Sequence, residues 1–201
     1  MNIDPATSTA LGRSTVWWRS IECLYPTLTA AATVLRVAFE LDATLQANPA
    51  VRTLLERVCD LERRAAASAE DDHSPRPRFV VCEGLDGSGK STLAKRLAAA
   101  LKGGRVLATP PVSLAHDGLR EVFDSPSFKG PVARAYYMCS NYIAVAEMCA
   151  AAAAAAEAGA PPPIFVVDRF WSTTCSCKIG YDSRHPPTRP LGSALVHARH
   201  R

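Results

Sequence analysis

A chain of 201 residues with 48% hydrophobic and 21% charged side chains is apolar enough to bury a core, which excludes a disordered chain and fits one domain or two small ones. The formal net charge of +4 is scattered along the sequence, too weak a field to point to nucleic acid or to a membrane surface. The 7 cysteines are an odd number without framework spacing, which suits reduced thiols in a reducing compartment. The longest run poor in charge, Met148 to Pro163 with only Glu157 inside it, is built of Ala and Pro rather than Leu, Ile or Phe, and so does not read as a membrane span.

Residues 1–21 show no sustained period and no cleavable apolar core. They read as an irregular lead-in rather than a secretory or transit peptide. From Pro26 to Asp42, Leu28, Ala31, Ala32, Leu35, Ala38 and Phe39 follow the three-and-four spacing of an amphipathic helix. A second helix is expected after Asn48 as cap and Pro49 in the first turn, with Val51, Leu54, Leu55, Val58 and Leu61 as its stripe. The two make a helical hairpin extension over 22–64 whose apolar faces need a cover. Small residues, an acidic pair and alternating Pro over 65–77 then read as a linker.

Arg78 to Cys82 is a short apolar β-prone run leading into a Gly-rich turn, after which Leu93, Leu97 and Leu101 recur every four residues with Ala94 and Ala98 beside them. That is strand, loop, helix. A second strand is expected at Arg105 to Ala108, followed by the Pro110-Pro111 turn. The longest helix opens at Pro131 and runs to Ala158, with Gly159 just past its end. Ile164 to Val167 is a third strand, apolar throughout as buried parallel strands are. Strands alternating with helices predict an α/β parallel sheet of about three strands flanked by helices.

Gly84-Leu85-Asp86-Gly87-Ser88-Gly89-Lys90-Ser91 fits G-x-x-x-x-G-K-[ST] at every position. Its glycines let successive backbone N–H groups, continuing into the next helix, point at a polyphosphate. Gly84, Asp86, Gly87, Ser88, Gly89, Lys90, Ser91 and Thr92 are therefore the candidate phosphate-binding residues, with Lys90 reaching the β/γ-phosphates and Ser91 ligating Mg²⁺. Asp168-Arg169 follows directly on the third strand. At the carboxyl end of an open parallel sheet, an Asp can hold Mg²⁺ through water and an Arg can bridge phosphates. Lys90, Asp168 and Arg169 are accordingly the candidate catalytic residues. Cys175 and Cys177 lack partners at zinc spacing, and none of the 5 histidines stands where a base would be needed.

FVVCEGLDGSGKST and VVDRFWST resemble the opening and the later Asp-Arg-aromatic motif of the thymidylate kinase family. The stretches TPPVSLAHDGLREVFD and RAYYMCSNYIAVAE look most like the branch of that family that acts on UMP and CMP in mitochondria. The resemblance covers about residues 78–176, and 22–62 loosely. It implies a P-loop NTPase-type sheet in the order 2-3-1 and Mg-ATP-dependent phosphoryl transfer to a pyrimidine nucleoside monophosphate. It further implies that Asp86 contacts the acceptor sugar, that Tyr137 stacks on the acceptor base, and that Arg169 and Lys90 clamp phosphates. Asn141 falls where thymidylate kinases place a base-contacting Arg: its amide either reads the edge of uracil or cytosine or marks a lost site. Pro110 stands where that family has a phosphate-binding Arg, which leaves Arg120 and Arg134 to take over that charge. A mitochondrial location is implied, with the cytoplasm as the alternative, and a homodimer is allowed.

Beyond about Thr174 the resemblance fades, and residues 177–201, rich in Pro, Arg and His, read as an irregular tail. The expectation is therefore a partial nucleoside monophosphate kinase domain at 78–176, short of the Arg-bearing lid and the last strands. Two functions follow: a kinase whose chain continues further, or a nucleotide-binding fragment or regulatory module that does not transfer phosphate.

Overall fold

The computed structural model describes residues 25, 27–67, 76–115, 118–125, 127–128 and 130–171. The expected lead-in, most of the 65–77 linker, Cys175, Cys177, the histidines and the 177–201 tail lie outside the described residues.

Helix α1 (Leu28–Leu41) begins at Thr27, whose hydroxyl accepts from the Ala30 amide at 3.1 Å. Helix α3 (Pro49–Ala67) begins at Asn48, whose side chain accepts from the Ala50 amide at 2.9 Å. Between them stands a helix the periodicity does not show, α2 (Ala43–Ala47), capped by Asp42 accepting from Thr44 and Leu45 at 2.8 and 3.1 Å. Five residues are too few to display a period, yet α2 drives Leu45 into the core. An ion pair between Arg36 and Glu62 ties α1 to α3.

Three parallel strands follow: β1 (Arg78–Cys82), β2 (Gly104–Ala108) and β3 (Ile164–Asp168). Their order is β1-β3-β2, which is 2-3-1 counted from the other edge, with Arg78 and Gly104 opposite Ile164 and with Cys82 and Ala108 opposite Asp168. All three thus end at one level. Central β3 is buried along Phe165, Val166 and Val167, while Phe79 and Val80 on β1 are nearly half exposed (46% and 45%).

Helix α4 (Lys90–Ala100) covers one face of the sheet. Its buried positions are Ala94 and Ala98, with Leu97 and Leu101 only partly covered and Leu93 exposed. The face against the sheet is thus centred on the two alanines with Leu97 and Leu101 flanking them, which lets helix and sheet approach closely. A Cβ on Gly104 would lie 2.2 Å from the Ala98 carbonyl oxygen, so β2 starts directly under the end of α4. Gly104→Ala is expected to cost about 1–3 kcal/mol, since backbone would have to move on both sides. A urea midpoint equal to wild type would contradict that packing.

The other face is covered by α7 (Pro131–Glu157), where Met148, Val145 and Ala151 meet Phe165 and Val167. Pro131 starts it, and it closes with the Ala160 and Gly159 amides donating to the Ala155 and Ala156 carbonyls at 2.8 and 3.0 Å around Gly159 at φ 63°. The alanine tract continues the helix. By length and composition α7 would suit a membrane span, but here it is the hub of the protein: its opposite side packs against α1 and α3. The cover the hairpin stripes required is α7 itself, so the extension and the sheet region share one helix. Short α5 (Val112–Ala115) and α6 (Leu119–Asp124) fill the path between β2 and α7. Arg57 on α3 and Ser113 on α5 both donate to Glu147 on α7, at 2.9 and 2.6 Å, pinning the three together.

Within this core, burial pushes the Cys139 thiol up from 9.0 to about 12, with Glu62 adding to the rise. Burial likewise pushes the Tyr136 phenol up from 10.0 to about 12. Both groups stay protonated in the fold at pH values where the unfolded chain has released the proton. The stability they contribute is therefore whole below about pH 9 and is lost as pH rises toward about 12. The thermal midpoint should be level up to about pH 8.5 and fall by about pH 10.5; a level profile across both would contradict the burial of these groups.

Candidate active site at the carboxyl ends of the strands

Because the strands are parallel and in register, the segments after β1, β2 and β3 emerge together. The Gly84–Ser91 loop leaves β1 and runs into the N-terminus of α4. Gly87 and Gly89 stand at φ 76° and 82°, conformations that side chains with a Cβ resist. A Cβ at either would meet no heavy atom within 4 Å, so backbone conformation rather than crowding demands glycine there. The first amides of α4 face the loop, where no helical carbonyl precedes them, which makes this end suited to an anion.

Lys90 is only 7% exposed. Its aliphatic stem passes Gly84, and its ammonium donates to the Leu85 carbonyl and, at 3.4 Å, to the Ser88 hydroxyl. The loop is thereby wrapped around its own lysine. Ser91 and Thr92 are exposed at the first turn of α4.

Asp168 ends β3 opposite Cys82, two residues before the loop. Its Oδ1 is buried without a hydrogen-bond partner among the described residues. A buried carboxylate oxygen in that condition is costly unless a cation or water meets it. Among the described residues no group of three or more His, Cys, Asp and Glu side chains gathers, so phosphate and water oxygens would have to complete a cation site there.

Arg169 takes a left-handed conformation at φ 66°. Its backbone is held from both flanking strands. The Arg169 amide donates to the Cys82 carbonyl at 3.1 Å, the Thr109 hydroxyl donates to the Arg169 carbonyl at 2.8 Å, and the Phe170 amide donates to Glu83 Oε1 at 3.0 Å. Its guanidinium pairs with the Asp86 carboxylate inside the loop. The two residues to which the resemblance gives separate substrates thus meet each other. The ring of Trp171, two residues on, stands edge-on to Tyr142 of α7 at 5.0 Å.

The acceptor candidates form a different group on α6 and α7. The Tyr137 hydroxyl donates to Asp124, with its oxygens at 2.9 and 2.8 Å, and Arg120 reaches the same carboxylate at 3.4 Å. Burial first, and then Asp124, push the Tyr137 phenol well above its ordinary range. The Tyr137 ring meets Tyr136 edge-on at 5.0 Å. Arg134 and Asn141 are buried within α7, so neither stands as a solvated side chain.

The structure therefore joins Asp86 to Arg169, holds Lys90 within the same loop and ends β3 at Asp168, while Arg120 and Tyr137 share the Asp124 carboxylate. Three contributors carry no assignment from sequence reasoning. Glu83 is signalled only by its place before the first glycine, Thr109 by nothing beyond preceding Pro110, and Asp124 only by its spacing of four from Arg120 on a short helix. No family model, curated protein or solved structure matches this chain.

Proposed function

We propose that the chain binds the polyphosphate of ATP in the Gly84–Ser91 loop of a P-loop NTPase-type fold and transfers the terminal phosphoryl group to a pyrimidine nucleoside monophosphate. The observation that carries this reading is the buried Lys90 inside a loop that joins a parallel strand to a helix N-terminus, at the same end of the sheet as Asp168, whose Oδ1 has no hydrogen-bond partner among the described residues. The resemblance to the thymidylate kinase family supports the choice of reaction and acceptor. Such a transfer needs little covalent chemistry from the protein: charge is neutralised and donor and acceptor are held in line. Loop amides and Lys90 hold the donor phosphates, and Arg169 answers the negative charge on the transferred group. Ser91 and Asp168 would hold Mg²⁺, which when bound screens the phosphate charge. On the acceptor side, Asp86 meets the sugar, while Tyr137, fixed by Asp124, faces the base, with Arg120 near its phosphate.

The test is a coupled assay with Mg-ATP and UMP, CMP, dCMP or dTMP. Acceptor-dependent ADP formation, favouring UMP or CMP, is expected. Tight ATP binding with no acceptor-dependent turnover would reduce the role to nucleotide binding.

A further inference from the structure

We infer that Asp86 is an internal competitor for the phosphate site: in the ligand-free chain its carboxylate occupies the Arg169 guanidinium, and an arriving polyphosphate must displace it. This inference rests on reading the Gly84–Ser91 loop as a polyphosphate site.

The backbone of Arg169 has little freedom, because bonds from Cys82, Thr109 and Glu83 hold residues 169 and 170 on both sides of the central strand. Holding a non-glycine residue at φ 66° takes such over-determination. Only the side chain can move, and its partner Asp86 sits on the loop, 78% exposed. An exposed ion pair is weak and readily exchanged. A phosphate group offers the same planar cation a bidentate anion of higher charge. The same loop treats Lys90 similarly, its ammonium held on the Leu85 carbonyl and Ser88 hydroxyl. Both cations that would meet a polyphosphate thus hold internal stand-ins, one of them a full negative charge. Asp86 weakens anion binding by the strength of that pair and keeps a lone Arg169 from capturing small anions. Once displaced, the carboxylate is free to meet a ligand hydroxyl.

The test is equilibrium binding of inorganic tripolyphosphate, in magnesium-free buffer at fixed ionic strength, to the full chain and to D86N, R169Q, the double variant and K90A. With no sugar and no metal present, Asp86 has only Arg169 and the ligand charge to act on. D86N should bind about two- to fivefold tighter than wild type, and the double variant should bind no tighter than R169Q. If D86N tightens binding equally with and without Arg169, the gain is general charge repulsion and the competitor idea fails. It fails also if D86N binds as wild type or weaker while K90A loses binding, an outcome that leaves the loop reading standing. Binding that K90A leaves unchanged would overturn the loop reading itself. Asp86 is exposed, so folding is not at stake; equal thermal midpoints check this.

Discussion

Lys90→Ala is expected to abolish acceptor-dependent ATP turnover and to weaken ATP binding by on the order of tenfold to a hundredfold, the scale of one or two lost charge-assisted hydrogen bonds. The fold should survive, because among the described residues the ammonium bonds only to the Leu85 carbonyl and Ser88 hydroxyl of the loop it serves. Its stem does fill space against Gly84, so Lys90→Met, which keeps most of that stem, separates loss of charge from loss of packing. Both variants should lose binding. If Met restores it, Lys90 holds the loop in shape and the phosphates are met elsewhere. Isothermal titration with Mg-ATP, beside the coupled assay, distinguishes these results.

The second large effect is on stability. Tyr136→Ala should destabilise the protein by about 3–5 kcal/mol, a large part of the 5–15 kcal/mol typical of a domain. Tyr136 is fully buried on α7, stacked on Phe123 of α6 with ring centroids 4.6 Å apart, and it belongs to the same core as Leu35, Leu54 and Val58 of the hairpin. No neighbouring chain segment on α7 can collapse into a void of that size without drawing α6 with it. Tyr136→Phe keeps the stack and should retain most of the stability. A urea unfolding series on the two variants decides: a loss below about 1 kcal/mol for Ala would mean that hairpin and α7 do not share a core.

Local signals in the sequence were enough to find the strands, the loop, the hairpin and the long helix, because each is written in a run of neighbours: apolar residues at helical spacing from Leu28, five β-prone residues before Gly84, Pro131 and Gly159 at the ends of α7. The elements that escaped, α2, α5 and α6, are four to six residues long and owe their form to caps and to what they pack on. The buried face of α4 could not be read from leucine spacing: Ala94 and Ala98 are its buried positions, and how the helix is turned against the sheet is a tertiary matter. Candidate residues met a similar limit. Lys90, Asp168 and Arg169 were legible because each lies within a motif at a strand end. The Asp86–Arg169 pair joins residues 83 positions apart and depends on strand register. Burial of Arg134 and Asn141 comes from tertiary packing around α7, and polar side chains inside an apolar helix carry no mark of that in their own segment.

The central claim is that the Gly84–Ser91 loop receives a polyphosphate, and amide chemical shifts measured by NMR during a titration with ATP test it most directly. The account predicts that the largest shifts fall on the amides of Gly87, Ser88, Gly89, Lys90 and Ser91, with smaller ones at Arg169, and that Lys90→Ala needs on the order of tenfold to a hundredfold more ATP to reach them. Saturating shifts centred away from this loop, or none at millimolar ATP, would contradict it.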